Sequence, residues 1–147
     1  MGKKKISVGT WAYIWGGYSD KPIPFPTVVQ RLKELKFDGI EFGAFAPHLE
    51  PNTREKRLEL KKMLDDAGLG ISGVAAPFPS PITTGKAEYL DVVKGHIELC
   101  HDMGITKLRT ETVDPPTGIP GGLDYESAFS TTAQRWNESA ELCAKNR

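Results

Sequence analysis

With 147 residues, 39% of them hydrophobic and 26% charged, the chain is long enough for one domain with its own core. Nineteen Lys and Arg balance nineteen Asp and Glu, so the basic footprint that a nucleic-acid backbone requires is missing and nucleic acid is disfavoured as a partner. No apolar run approaches the roughly 20 residues a membrane-spanning helix needs.

The first segment that reads as a strand is KISVGTWAY, residues 5–13, which runs on into IWGGY. Trp11, Tyr13, Trp15 and Tyr18 stand beside Gly16 and Gly17. Aromatic rings at the base of a loop suit the wall of a pocket on which the apolar face of a sugar stacks. A helix follows in which Val28, Leu32 and Leu35 lie at i, i+4 and i+7, one apolar stripe for a sheet.

DGIEFGAF, residues 38–45, is the second strand. It carries Glu41, and a carboxylate inside a parallel strand needs a polar cavity or a partner. His48 follows in the next loop and is a candidate for binding substrate or a metal. Asn52 with Glu55 three residues on reads as a capping box for a second helix, striped by Leu60, Met63, Leu64 and Ala67 and closed by Gly68. GISGVAA, residues 70–76, is the third strand, and Leu90, Val93, Ile97 and Cys100 stripe the helix after it. His96 and His101 lie on that helix as surface or packing residues.

The fourth strand, TKLRTETV at residues 106–113, runs into a chain-breaking Asp-Pro-Pro. Alternation sends Lys107, Arg109, Glu111 and Val113 to one face and Leu108, Thr110 and Thr112 to the other. Arg109 and Glu111, two apart on the charged face, form either a structural ion pair or a device for recognising substrate hydroxyls. Phe129, Ala133, Trp136, Ala140 and Cys143 then stripe a last helix.

Ile6, Ile40, Ile71 and Ile105 mark the four strand starts at intervals of 34, 31 and 34 residues. That is the length of a strand, a loop, a helix of three to four turns and a short return, and it makes neighbouring strands parallel. Loops from helix to strand are short and loops from strand to helix are long, so a ligand site is expected on the rim formed by the carboxyl ends of the strands. Phosphate-binding glycine loops, nucleophile elbows and the His-Glu-x-x-His zinc motif are missing. Cys100 and Cys143 lie far apart without metal-like spacing, which predicts two reduced, half-buried thiols and a cytoplasmic protein.

ISVGTWAYIWGG, then FDGIEFGAFAPH, AGLGISGVAAP and MGITKLRTETVDPP together resemble the N-terminal half of the sugar phosphate isomerase/epimerase family, the xylose isomerase-like TIM barrels. The likeness covers essentially the whole chain. It implies serial βα units forming half of a (β/α)8 barrel, four parallel strands and four helices in one partial domain over residues 1–147. It also implies a metal-dependent isomerisation or epimerisation of a sugar or polyol. On that resemblance a divalent ion, Mn, Mg, Co or Zn, is expected to stabilise an enediolate while acidic residues shuttle a proton.

In that family the metal ligands and proton-transfer glutamates sit on strands five to eight. They map onto no position of this sequence, which ends in the fourth helix, so no catalytic or metal residue is assigned. Trp11, Tyr13, Trp15, Glu41, His48, Arg109 and Glu111 are expected on the substrate side. If the chain is complete, two copies are expected to pair as a homodimer, each fourth strand meeting the other's first. The alternatives are a metal-free carbohydrate-binding or regulatory module on the same fold and the abasic-site endonuclease branch of the superfamily, against which the zero net charge argues.

Overall fold

The computed structural model describes residues 4–110 and 124–146. Strands and helices alternate: β1 (Ser7–Gly9), α1 (Phe25–Glu34), β2 (Gly39–Gly43), α2 (Arg54–Ala67), β3 (Gly70–Ala75), α3 (Lys86–Met103), β4 (Leu108–Arg109) and α4 (Tyr125–Lys145). All four strands are parallel, in the order β1-β2-β3-β4. Sequential order with every strand parallel is the arrangement of half a (β/α)8 barrel, whereas an open doubly wound sheet reverses beside its first strand. No helix among the described residues is long and apolar enough to cross a membrane.

The chain divides into two compact units, Met1–Ala76 with Leu99–Arg109, and Pro77–Glu98 with Thr110–Arg147. The first holds the whole sheet. Ile40 and Phe42 of β2, Val74 of β3 and half-buried Leu108 of β4 face one side, where they meet Val28 and Leu32 of α1, Leu60 and Leu64 of α2, and Leu99 and Met103 from the end of α3. Alternation leaves Gly9, Glu41 and Arg109 on the opposite face. A register shift between Ile40 and Glu41 makes room for Ser72, whose Oγ donates to the Ile40 carbonyl at 2.9 Å and so satisfies an acceptor that the shifted ladder misses. Gly68 ends α2 in the left-handed region at φ 73°, where a side chain would be strained.

Four local expectations differ from the structure. β1 stops at Gly9 instead of reaching Tyr13, and Thr10–Tyr13 is a 3₁₀ turn. Buried Thr10 accounts for the change: its Oγ1 accepts from Gly43 N at 2.8 Å, taking a donor that a longer β1 ladder would have used. The N-cap of α2 is Thr53, whose hydroxyl accepts from Lys56 N at 3.2 Å, and Asn52 is not the cap. β4 covers Leu108 and Arg109 only, and the expected strand positions 111–113 lie outside the described residues. Leu35, the C-cap of α1, is exposed because the last position of its stripe falls where the helix ends.

In the second unit the face of α4 is rotated from the expected one. Ala128 and Ser139 are buried, whereas Phe129 and Trp136 are 59% and 41% exposed. Charge pairing accounts for the covered side: Glu138 binds Lys86 Nζ at 2.6 Å and Arg135 Nη1 at 3.3 Å. Elsewhere in this unit Phe78 stacks on His96 with ring centres 5.6 Å apart and meets Tyr89 edge-on at 5.9 Å. Cys100 and Cys143 are half-buried.

Candidate functional site

The first unit brings three of the expected residues into contact at the carboxyl ends of its strands. Glu41 stands in β2, opposite Gly9 in the register, and Arg109 ends β4. Arg109 Nε donates to Glu41 Oε1 at 2.7 Å across the sheet. The same guanidinium lies over the Trp11 indole, its Cζ 5.0 Å from the ring centre. Both members of the ion pair are partly exposed, so their mutual attraction adds at most about 1 kcal/mol to stability. The pair's importance is positional.

Trp11 reaches this place because the chain turns sharply after β1. Ile14 N and Trp15 N both donate to the Trp11 carbonyl, at 3.0 and 3.1 Å, and curl residues 10–15 back over the strand end. The indole then lies against the bare α-carbon of Gly9, where a Cβ would fall inside the ring. A chain of contacts results: Gly9 seats Trp11, Trp11 carries Arg109, and Arg109 holds Glu41.

Other aromatic rings of the β1 loop lie along this rim. Trp15, half exposed, meets Phe45 at 4.7 Å between ring centres. Tyr13 packs toward the core while its ring stands 6.2 Å from that of Tyr18. Phe45 and Gly9 belong to this arrangement without having been singled out in the sequence. The only signals were a phenylalanine four residues past Glu41 and a glycine two residues before Trp11.

His48 points inward. It is 2% exposed, its Nε2 lies 2.7 Å from the Ile23 carbonyl, and its ring meets Phe25 edge-on at 5.4 Å. A carbonyl only accepts, so Nε2 carries the proton, while buried Nδ1 has no hydrogen-bond partner among the described residues. Glu111 lies outside the described residues. Among the described residues Arg109 binds Glu41, 68 positions away along the chain.

Burial lowers the pKa of His48 below the ordinary value of 6.5, with the Ile23 bond opposing. His96 in the second unit is lowered for the same reason, opposed by a bond to the Pro77 backbone. Both rings therefore resist protonation in the folded state. The unfolded chain binds those protons first, so stability is expected to be fully present above about pH 6.5 and to fall as pH drops from there toward the lowered folded values. Urea midpoints measured between about pH 7 and about pH 5 should decline, and His48→Gln should remove part of that slope. A wild-type midpoint that does not change over this range would refute the assignment.

Among the described residues no group of three or more His, Cys, Asp and Glu stands where it would hold a metal ion. Glu41 already binds Arg109, and His48 is committed to Ile23. The donor set on this rim thus suits hydroxyl groups and a stacked ring better than a divalent cation.

The family described as xylose isomerase-like TIM barrel matches residues 29–147. No curated protein matches the sequence significantly. Among solved structures, the chain is similar to the probable 3-DHS dehydratase AsbF of Bacillus anthracis at 19% identity and TM-score 0.72, covering 97% of this chain and 49% of that one. It is similar to a sugar phosphate isomerase/epimerase of Parabacteroides distasonis at 16% identity and TM-score 0.68, covering 99% and 49%. It is also similar to the D-psicose 3-epimerase of Clostridium cellulolyticum, solved with D-tagatose, at 15% identity and TM-score 0.62, covering 96% and 50%. At such identities the likeness is one of fold, and the chain spans about half the length of each of these structures.

Proposed function

Because the chain belongs to the xylose isomerase-like TIM barrel family, we propose that it supplies the substrate-binding half of a sugar or polyol isomerase or epimerase. The observation that carries this reading is the Trp11–Arg109–Glu41 cluster at the carboxyl ends of the strands. A sugar hydroxyl both donates and accepts, and a guanidinium beside a carboxylate offers both partners side by side. The indole face complements the C–H face of the ring, and Trp15 with Phe45 extends the apolar wall. These residues bind and orient.

The divalent metal of this reading finds no ligand set among the described residues. Proton transfer and metal chemistry are therefore assigned to residues other than those of this cluster. Two of the similar structures, a sugar phosphate isomerase/epimerase and a D-psicose 3-epimerase, support the choice of substrate class. Two cysteines far apart in the sequence and without metal-like spacing, Cys100 and Cys143, suit the reducing cytoplasm in which we place the protein.

A second reading, a carbohydrate-binding module without catalysis, is favoured by the same lack of a metal-binding cluster. Calorimetry with a panel of free hexoses and polyols, with a divalent metal and with a chelator, separates the two. The enzyme reading expects binding that the chelator weakens. Equal binding with and without the chelator supports the module, and binding of no sugar at all removes both.

A further inference from the structure

The cluster that positions the substrate also carries a charge argument. Arg109 is the cation best placed to attract an anionic substrate, since it stands at the end of β4 on the face of the sheet opposite the core. Its guanidinium is already 2.7 Å from the Glu41 carboxylate. A phosphate arriving there would meet a negative group at the same short range as the positive one, so the two effects largely cancel. The described rim loops of this unit do not correct the balance. Lys21 stands next to Asp20 after β1, Glu50 follows β2, and all three are exposed. His48 adds no charge, because its ring is buried and held toward the neutral form. What remains at the carboxyl ends of the strands is a neutral donor–acceptor pair beside an indole face, exposed Lys107 standing before β4 begins.

We infer that this half of the site seats the uncharged, hydroxyl-bearing part of a free sugar or polyol and discriminates against a phosphate ester, with Glu41 as the specificity-determining residue through its pairing with Arg109. The inference rests on the proposed sugar-binding function and narrows its substrate class. Glu41 has two effects on the same ligand. It accepts from a hydroxyl, and it cancels the charge that would otherwise draw in a phosphate. Replacing it by an isosteric amide keeps the shape and removes the cancellation.

The test uses the purified protein, a panel of free ketohexoses that includes D-tagatose, their 6-phosphates, and inorganic phosphate, titrated by calorimetry at low and at moderate salt. The expected result is that the free sugars bind at least as tightly as their phosphates, with little dependence on salt, and that inorganic phosphate does not compete. Glu41→Gln should then shift the ratio of affinities toward the phosphate esters by about tenfold, with a salt dependence the wild type lacks. Arg109→Gln should abolish that shift when combined with Glu41→Gln. Circular dichroism of each variant confirms that it is folded.

Phosphate esters binding about tenfold more tightly than the free sugars in the wild type, in a salt-dependent manner, would overturn the inference and leave the proposed function standing. An affinity ratio unchanged by Glu41→Gln would overturn the role of Glu41. Binding of neither free sugars nor esters would overturn the proposed function and this inference with it.

Discussion

Alanine at position 9 is expected, on the proposed function, to weaken sugar binding by about tenfold or more, near 1.4 kcal/mol, although residue 9 itself presents nothing to a ligand. The added Cβ would occupy the place of the Trp11 ring, so the indole must leave the strand. Its departure removes both the stacking face and the surface on which Arg109 lies. The cation–π contact itself contributes only about 0.5 to 1 kcal/mol at an exposed site, so the larger part of the loss is the ligand's own stacking partner. Trp11 is one of three tryptophans in the chain. A background of Trp15→Phe and Trp136→Phe isolates its emission, which should shift to the red in Gly9→Ala.

A double-mutant cycle makes this a test of mechanism. In a Trp11→Ala background the ring atoms nearest the new Cβ are gone, and Gly9→Ala should then have almost no further effect on affinity or stability. Additive losses from the two substitutions would show that Gly9 acts through something other than the indole.

The second large effect concerns stability. Asp102, in the last turn of α3, lies 3.0 Å through Oδ2 from Arg57 Nε and 3.2 Å through Oδ1 from Arg54 Nε. The side chains of Arg57 and Asp102 are 11% and 15% exposed, whereas Arg54 is largely in solvent. Asp102→Ala is expected to destabilise the first unit by about 3 to 5 kcal/mol, because it leaves the Arg57 charge buried without a partner. Arg54→Ala should cost less than about 1 kcal/mol, the scale of an exposed ion pair.

Replacing both members, Arg57→Met with Asp102→Leu, should recover most of the loss, since an apolar pair of similar volume needs no counter-charge. Urea denaturation of the four proteins reads all of these values. An Asp102→Ala cost below about 1 kcal/mol would mean that water reaches Arg57 and screens it.

Where the structure and the sequence agree, the signal was local and repeated. The spacing of Ile6, Ile40, Ile71 and Ile105 reflects the length of a βα unit, and chain length between parallel strands permits little else. Leu60 and Leu64 are buried where their helical period put them, and Gly68 closes α2 in the conformation for which glycine is suited. Such features are decided within a few turns of chain. The strand that ends too early shows the limit of this logic. KISVGTWAY alternates well enough to be a strand to Tyr13, but Thr10 diverts its hydroxyl to Gly43 N, a group 33 positions away.

Length, period, parallel order and the location of a rim were all legible from the residues alone, because helix stripes and loop lengths depend on near neighbours. The pairing of residues within the site was not. Glu41 and Arg109 each stood out as charges on strands, but their pairing depends on β2, β3 and β4 coming into register, which a window of sequence does not contain. The same holds for His48, whose loop position suggested a ligand and whose ring is instead bonded to Ile23, and for α4, whose aromatic stripe is exposed while Arg135 and Glu138 take the covered side. Each of these was settled by which polar group found a partner within its own unit, since a buried donor or charge without one is costlier than an apolar ring left in water.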